Sequence, residues 1–218
     1  MNLEAERFAE HLLTADLELA WTELERYTRA GQNSLFLYHR LLTPALYHIG
    51  RLWERDAISV ADEHLATGVC EVLLSRFESS LAAKPVVYKG ASKRVLLFGM
   101  EQERHILGLR MVASQFREAG WQVRFLGADL PLEYAVNAAS RWKPDAIGIT
   151  LSITRNLPSL ELYVNTLEAL DHSPTVLVGG RLVSLCDLTP YVSEQTVLVN
   201  DLLHLAQWLY GGVQRATS

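Results

Sequence analysis

The sequence predicts an α + α/β protein in which an N-terminal helical bundle is followed by a doubly wound, five-stranded parallel sheet. Two observations predict this fold class. Up to about residue 82, apolar residues recur at three- and four-residue steps, which is typical of helices. From residue 94 onwards, five short β-rich apolar runs alternate with helical segments, which favours right-handed βαβ units and a sheet covered on both faces.

The predicted helical domain, residues 1–83, contains three helical stretches. The first begins near residue 3 and ends at Gly31, the second covers 34–53, and the third covers 59–82. Ser59 precedes the third stretch as a plausible cap. Because no strand pattern interrupts this region, we expect a small bundle of three or four helices.

A polar segment containing Pro and Gly, residues 84–93, is predicted to be a linker to the α/β domain, residues 94–218. The strands are predicted at 94–100, 121–127, 145–152, 175–180 and 196–200. The helices are predicted near 107–119, 132–141, 158–170, shortly after 180, and over 202–213. Ligands of such sheets bind at the carboxyl ends of the strands, so we expect the site in the loops 100–108, 127–131, 150–155 and 179–182.

Composition excludes several classes of function. The 218 residues carry a net charge of −5 and no Lys/Arg-rich block, so direct nucleic-acid binding is not expected. Cys70 and Cys186 are too far apart in sequence for a disulfide framework or a thiolate zinc site. The acidic, amphipathic N-terminus and the absence of a long apolar run predict a soluble, cytoplasmic protein without membrane contact.

The loop after the first strand contains Glu103-x-His105-x-x-Gly108. A histidine two residues after a carboxylate can offer one ring nitrogen to a metal while the carboxylate holds the other N–H. Gly108 opens the next helix and lets its backbone approach a bulky planar ligand. Taken alone, the same pattern is also typical of a surface loop whose histidine faces water.

The other three loops contain small residues. Gly127 follows the second strand, and hydroxyl residues, Thr150 and Ser152, follow the third. Gly179-Gly180 follows the fourth strand, where missing side chains would leave a slot beside the sheet. Each feature is ordinary by itself, since loops favour glycine and hydroxyls often cap helices.

In this order and spacing, the motifs resemble the cobalamin-binding domain shared by cobalamin-dependent methionine synthase, mutases and corrinoid proteins. That family carries an acidic residue, x, His, x, x, Gly, followed by Ser-x-Leu and then Gly-Gly. Glu103 stands where Asp is more usual. The middle motif departs from Ser-x-Leu. Either Thr150-x-Ser152, which we prefer, or Ser152-x-Thr154 must take its place.

The resemblance implies a function for each of these residues. His105 would be the lower axial cobalt ligand, bound in its neutral form and oriented by Glu103. The dimethylbenzimidazole tail of the cofactor would be displaced into the slot. That slot is expected to be bordered by Thr150, Ser152, Gly179 and Gly180.

The helical half resembles a narrower group. Trp53, nine residues, then Glu63-His64 is similar to the signature of the CarH-type adenosylcobalamin photoreceptors. The resemblance implies that the bundle caps the upper face of the cofactor, with Trp53 covering the adenosyl group and Glu63 and His64 contacting it. Without the resemblance, Trp53 would be read as ordinary core and Glu63-His64 as the polar first turn of a helix.

Two departures limit the resemblance. CarH-type repressors have a winged-helix domain before the bundle, whereas this chain starts almost directly with the bundle, so any transcriptional effect is expected to pass through a protein partner or a homo-oligomer. The best-known members also have a histidine after the Trp, which becomes the second axial ligand in the light. Here that residue is Glu54, so a bis-histidine state is not expected.

The leading hypothesis is a standalone adenosylcobalamin-binding light sensor. No pair of residues suggests an independent catalyst, so we do not expect an enzyme. The alternative is a corrinoid protein that carries methylcobalamin between the enzymes of a methyltransferase system. A third interpretation is a degenerate domain that only mediates protein contacts.

Overall fold

The computed structural model of the protein describes residues 3–82 and 92–211. The chain divides into two compact units, Met1–Pro85 and Val86–Ser218, which we call the helical unit and the α/β unit. The predicted linker, 84–93, lies outside the described residues except for its last two positions.

Within residues 3–82, the helical unit contains five α-helices and one π-helical turn. They are α1 (Leu3–Leu13), α2 (Leu17–Arg29), α3 (Ser34–Phe36), the π-helical turn (Leu37–Leu42), α4 (Thr43–Glu54) and α5 (Val60–Ala82). Helix α1 packs against α2, α4 and α5. The largest fully buried side chains of the unit are Phe8, Leu12, Leu24, Leu37, Tyr38, Leu41, Leu42, Ile49, Leu73 and Leu74.

The first predicted helical stretch is divided into α1 and α2. Ala15 takes a left-handed conformation at φ 55°. The N–H groups of Ala15 and Asp16 then donate to the carbonyls of Leu12 and His11, which ends α1 in a Schellman arrangement. The Asp16 carboxylate accepts a bond from Leu19 N–H at 2.9 Å and starts α2.

The second stretch, from α3 to α4, is helical throughout but widens at the π-helical turn. There the N–H of Thr43 donates to the carbonyl of Tyr38, five residues earlier. Ser59 precedes α5 as expected, and Ser59 and Asp62 form a reciprocal cap. The Asp62 carboxylate accepts from Ser59 N–H at 2.8 Å, and Asp62 N–H donates to Ser59 Oγ at 3.2 Å.

The α/β unit confirms the predicted five-stranded parallel sheet. Its elements are β1 (Arg94–Gly99), α6 (Leu107–Glu118), β2 (Gln122–Phe125), α7 (Leu132–Trp142), β3 (Ala146–Thr150), α8 (Leu157–Glu168), β4 (Thr175–Gly179), β5 (Val197–Leu198) and α9 (Leu202–Tyr210). The helix predicted after β4 is instead two short 3₁₀ turns, Arg181–Ser184 and Thr189–Tyr191. The last helix ends at Tyr210, and residues 212–213 of its predicted span lie outside the described residues.

The strand order is β2-β1-β3-β4-β5, and all neighbouring strands are parallel. Helices α7 and α8 pack on one face of the sheet, around Leu96, Phe98 and Ile149. Helices α6 and α9 pack together through aromatic contacts between Phe116 and Trp208. The order reverses between β1 and β3, so the loops after these two strands diverge and leave a crevice at their carboxyl ends.

Candidate functional site

Glu103 lies in the loop after β1, and its side chain is fully buried. Carboxylate oxygen Oε1 accepts from the backbone N–H of His105 at 2.9 Å and lies 2.7 Å from His105 Nδ1. Oxygen Oε2 accepts from the backbone N–H of Ser152, after β3, at 2.5 Å. One buried carboxylate therefore connects the two loops that diverge at the switch point of the sheet.

The pKa of Glu103 lies below the ordinary value for this side chain. Burial by itself raises the pKa, but the hydrogen bonds from the His105 ring, the His105 N–H and the Ser152 N–H outweigh that effect. The carboxylate is therefore ionised at neutral pH and can only accept. Since the neighbouring His105 Nδ1 must then donate, Nε2 is the ring nitrogen that could ligate a metal, and the side chain is 67% exposed.

The loop after β2 packs directly on the Glu103 loop, and sequence reasoning missed two residues that join them. The Asp129 carboxylate accepts from Gln102 N–H at 2.6 Å. Tyr163 Oη, on α8, donates to the Leu130 carbonyl at 2.9 Å and accepts from Glu101 N–H at 3.3 Å. An Asp in a glycine-containing loop is a weak signal for such a turn, whereas a buried Tyr on a helix gives none.

The residues expected to border a slot occupy the ends of β3 and β4. Thr150 is buried and is the register partner of Gly179. Gly180 has φ 109°, and a Cβ there would lie 2.4 Å from the Leu151 carbonyl oxygen. Glycine at 180 is therefore required for close backbone packing against Leu151, whereas a Cβ at Gly179 would make only an ordinary contact of 3.8 Å with Val199. The alternative hydroxyl, Thr154, begins a 3₁₀ turn and is exposed.

Two further glycines face open space. No heavy atom lies within 4 Å of the position that a Cβ would take at Gly108, in the first turn of α6, or at Gly127, after β2. Gly127 also has φ 84°, which disfavours other residues. Both glycines leave room for a broad ligand to approach the backbone.

In the helical unit, Trp53 lies in the last turn of α4. It continues the buried stripe of Ala45 and Ile49 at four-residue spacing, yet it is 48% exposed. Trp53 is therefore not an ordinary core residue.

Glu63 lies in the first turn of α5, and His64 follows it directly. Glu63 Oε1 accepts from Thr67 Oγ1 at 3.0 Å, and Glu63 Oε2 lies 3.6 Å from His64 Nε2. The His64 side chain is 75% exposed. His64 also lines a groove of about 410 Å³ with Leu65 and Val69. The pair is thus an open polar site beside apolar surface.

Comparison with known families follows the division into two units. One model described as a B12 binding domain matches residues 4–78, and a second with the same description matches residues 93–189. The chain belongs to the B12-binding domain family. Its cofactor class is therefore cobalamin. Among the residues described above, His105 would be able to hold the cobalt through Nε2, with its ring oriented by Glu103.

Two relatives of this B12-binding protein illustrate the range of the family. The HTH-type transcriptional repressor CarH of Myxococcus xanthus is 31% identical over 144 residues, which are 66% of this chain and 46% of the repressor. Dimethylamine corrinoid protein 3 of Methanosarcina acetivorans is 26% identical over 144 residues, 64% of this chain and 65% of that protein. The chain therefore spans about half to two thirds of the length of these relatives.

The fold also matches a solved corrinoid protein. The monomethylamine corrinoid protein of Methanosarcina barkeri superposes with a TM-score of 0.77 over 95% of this chain and 97% of that chain, at 17% identity. Because the identity is only 17%, this likeness shows that the two proteins share a fold. Among the helices that the structure describes, none is long and apolar enough to cross a membrane.

Proposed function

We propose that the protein is a cytoplasmic adenosylcobalamin-binding light sensor with domains at 1–83 and 94–218 joined by the linker 84–93. Its α/β unit holds the cofactor through His105, and its helical unit contacts the adenosyl group. Loss of that group in the light changes an interface with a partner protein or with another copy of the chain. The observation that favours a sensor over a methyl carrier is the half-exposed side chain of Trp53.

His105 fits the lower axial position because its ring is both fixed and accessible. The ionised, buried Glu103 holds Nδ1 as a donor at 2.7 Å, which selects the neutral tautomer with its lone pair on Nε2. Ser152 in turn fixes Glu103. In this proposal Thr150, Ser152, Gly179 and Gly180 border the space for the displaced tail of the cofactor, while Gly108 and Gly127 leave room for the ring.

Trp53 supports a sensor because a large aromatic residue at the end of an apolar stripe is left half-exposed. An indole covering the adenosyl group would exclude water from the bond that joins this group to cobalt. Glu63 can accept hydrogen bonds from ribose hydroxyls or the adenine amino group, and His64 adds a polar contact beside it. When bound, adenosylcobalamin supplies a cobalt–carbon bond that light can break.

Glu54 distinguishes this chain within the proposal. Its position directly after Trp53 offers a carboxylate rather than an imidazole. After loss of the adenosyl group, water or another side chain would therefore take the place that a histidine takes in the best-known CarH-type proteins. We expect the illuminated spectrum to differ from that of a bis-histidine cobalamin.

A second candidate is a corrinoid methyl carrier. The dimethylamine corrinoid relatives favour it, since the M. acetivorans protein matches nearly as much of the chain as CarH does. In that case the bound form would be methylcobalamin, and the partners would be methyltransferases. The two candidates differ in what the helical unit must recognise, namely an adenosyl group or a methyl group.

The deciding experiment is the visible spectrum of the protein with adenosylcobalamin in the dark and after green light, with molar mass measured by light scattering. A sensor should bind the adenosyl form in preference to the methyl form and change its spectrum and its assembly on illumination. The His105→Ala variant should lose the spectrum of histidine-ligated cobalamin. His204→Ala, in helix α9, is the matched control and should retain it.

Two other outcomes would contradict the sensor or the assignment of His105 as the ligand. Equal affinity for the adenosyl and methyl forms, without a lasting change in assembly, would replace the sensor by the methyl carrier. A wild-type spectrum that is independent of His105 would remove this residue as the ligand under either candidate.

A further inference from the structure

Asp129 holds the Glu103 loop through two backbone contacts. Its carboxylate oxygen Oδ1 accepts from Gln102 N–H at 2.6 Å, and its own N–H donates to the Glu103 carbonyl at 3.0 Å. Asp129 belongs to the loop after β2, which lies at the edge of the sheet. These two hydrogen bonds therefore connect the loop that carries His105 to the loop after β2.

The Glu103 loop needs such support because its backbone is strained. Gln102, in this loop, has φ 65°, and Asp129, in the neighbouring loop, has φ 55°. Residues other than glycine rarely adopt this left-handed conformation. The loop also folds back tightly, since a Cβ at Gly99 would lie 2.9 Å from the Glu103 carbonyl oxygen. A hydrogen bond to the N–H of Gln102 stabilises the strained residue directly before Glu103.

The position of Gln102 determines the position of the His105 ring. Glu103 is the next residue, and its carboxylate bonds both the backbone and the ring of His105. A shift of the Gln102–Glu103 peptide would move that carboxylate away from Ser152 N–H and from His105 Nδ1 together. Tyr163 supports the same junction from α8, through Glu101 and Leu130.

We propose that Asp129 is a positioning residue for His105. By holding Gln102 in its left-handed conformation, it keeps the Glu103 carboxylate on Nδ1 and so presets the ring for ligation through Nε2. The part of the proposal that concerns cobalt rests on the proposed function. The part that concerns the Glu103–His105 pair does not, because it can be measured in the protein without cofactor.

Two substitutions separate the hydrogen bond from the backbone conformation. Asp129→Asn keeps an acceptor oxygen and tolerates positive φ, whereas Asp129→Gly keeps the conformation but removes the acceptor. Asp187→Gly is the matched control, since Asp187 Oδ1 likewise accepts from a backbone N–H, that of Thr189 at 3.0 Å, in the loop after β4. All three variants are compared with the full unmodified chain.

The first measurement is the ¹⁵N chemical shifts of the His105 ring in the cofactor-free protein, at a pH where the ring is neutral. The unmodified chain, Asp129→Asn and Asp187→Gly should all show the tautomer protonated at Nδ1. Asp129→Gly should move towards the mixture of tautomers found in a free imidazole. An unchanged tautomer in Asp129→Gly would overturn the proposal whether or not the protein binds cobalamin.

The second measurement uses cobalamin itself. Asp129→Gly should bind it about tenfold more weakly than Asp187→Gly does, the size expected for loss of one charged hydrogen bond. The nitrogen splitting from histidine in the electron paramagnetic resonance spectrum of the cob(II)alamin complex should also be reduced. If Asp129→Gly retains full affinity and splitting, the positioning role is wrong. If no variant and no unmodified protein binds cobalamin, the proposed function fails, and the ring tautomer alone decides the role of Asp129.

Discussion

The two units present their candidate residues in opposite ways. In the α/β unit, Glu103 is fully buried and its carboxylate is bonded to two loops, so the His105 ring is fixed before any ligand arrives. In the helical unit, Trp53 and His64 lie near helix ends, where Trp53 is half-exposed and His64 is largely exposed. The difference teaches that the α/β unit offers a preorganised group, whereas the helical unit offers exposed side chains that a ligand could cover.

This contrast predicts a division between the units in what each contributes to cobalamin binding. A preorganised group loses little conformational freedom on binding, so the α/β unit should supply most of the affinity for the corrin. Exposed apolar surface contributes when a matching group covers it, so the helical unit should supply most of the selectivity for the upper ligand. Two substitutions test this division, and a third examines the stability of the helical unit by itself.

The largest effect is expected for Glu103→Ala. Removal of the carboxylate leaves the Ser152 N–H without this acceptor, which costs about 1–3 kcal/mol for a buried group. Cobalamin affinity should fall roughly 10–100-fold, the usual effect of losing the partner that orients a ligating histidine. Urea denaturation of the cofactor-free protein and titration with cobalamin measure the two effects.

Glu101→Ala is the control for this substitution, because Glu101 is an exposed carboxylate in the same loop. It should change neither quantity appreciably. Equal losses of stability and of cobalamin affinity in the two variants would show that the loop responds to charge in general. The contrast between the two units would then fail.

A smaller effect is expected for Trp53→Ala. Since the indole is half-exposed, the free energy of unfolding should fall by no more than about 1 kcal/mol. Affinity for adenosylcobalamin should fall by up to about tenfold, while affinity for methylcobalamin is nearly unchanged. Competition between the two forms measures this selectivity directly.

Trp21→Ala serves as the comparison for that experiment, since the Trp21 ring is already covered by the Arg76 guanidinium at 4.2 Å. It should leave the preference between the two forms as it is in the unmodified chain. A loss of both affinities in Trp53→Ala would instead assign Trp53 to the stability of the bundle.

The smallest effect concerns the pH dependence of the helical unit. Hydrogen bonds from the Ser59 side chain and backbone lower the pKa of the exposed Asp62. A carboxyl whose pKa is lower in the folded state stabilises the protein above its unfolded pKa, and this contribution is lost as the pH falls through the lowered folded value. Asp62→Asn should therefore flatten the acid side of the stability curve slightly, as followed by helical circular dichroism.

The sequence predicted the fold well because periodicity reports directly on which residues are buried. The alternation of five apolar runs with helical segments gave the parallel sheet, and the loops at its carboxyl edge are where Glu103 and Ser152 meet. The break between α1 and α2 was missed because Ala15, not a glycine, takes the left-handed position. Asp129 was missed because its contact with Gln102 joins residues 27 positions apart, which no local pattern reveals.

The π-helical turn before α4 has a consequence for where Trp53 points. A π turn holds one more residue than an α turn, and each residue rotates a helix by about 100°. If residues 37–42 formed an ordinary α-helix with the chain length unchanged, the extra residue would rotate α4 by about 100° about its own axis and carry Ala45 and Ile49 off the core. The π turn thus absorbs one residue without rotating α4. A deletion that removes this residue should leave the direction of Trp53 unchanged, whereas a further insertion wound as α-helix should reorient Trp53 without altering any residue of α4.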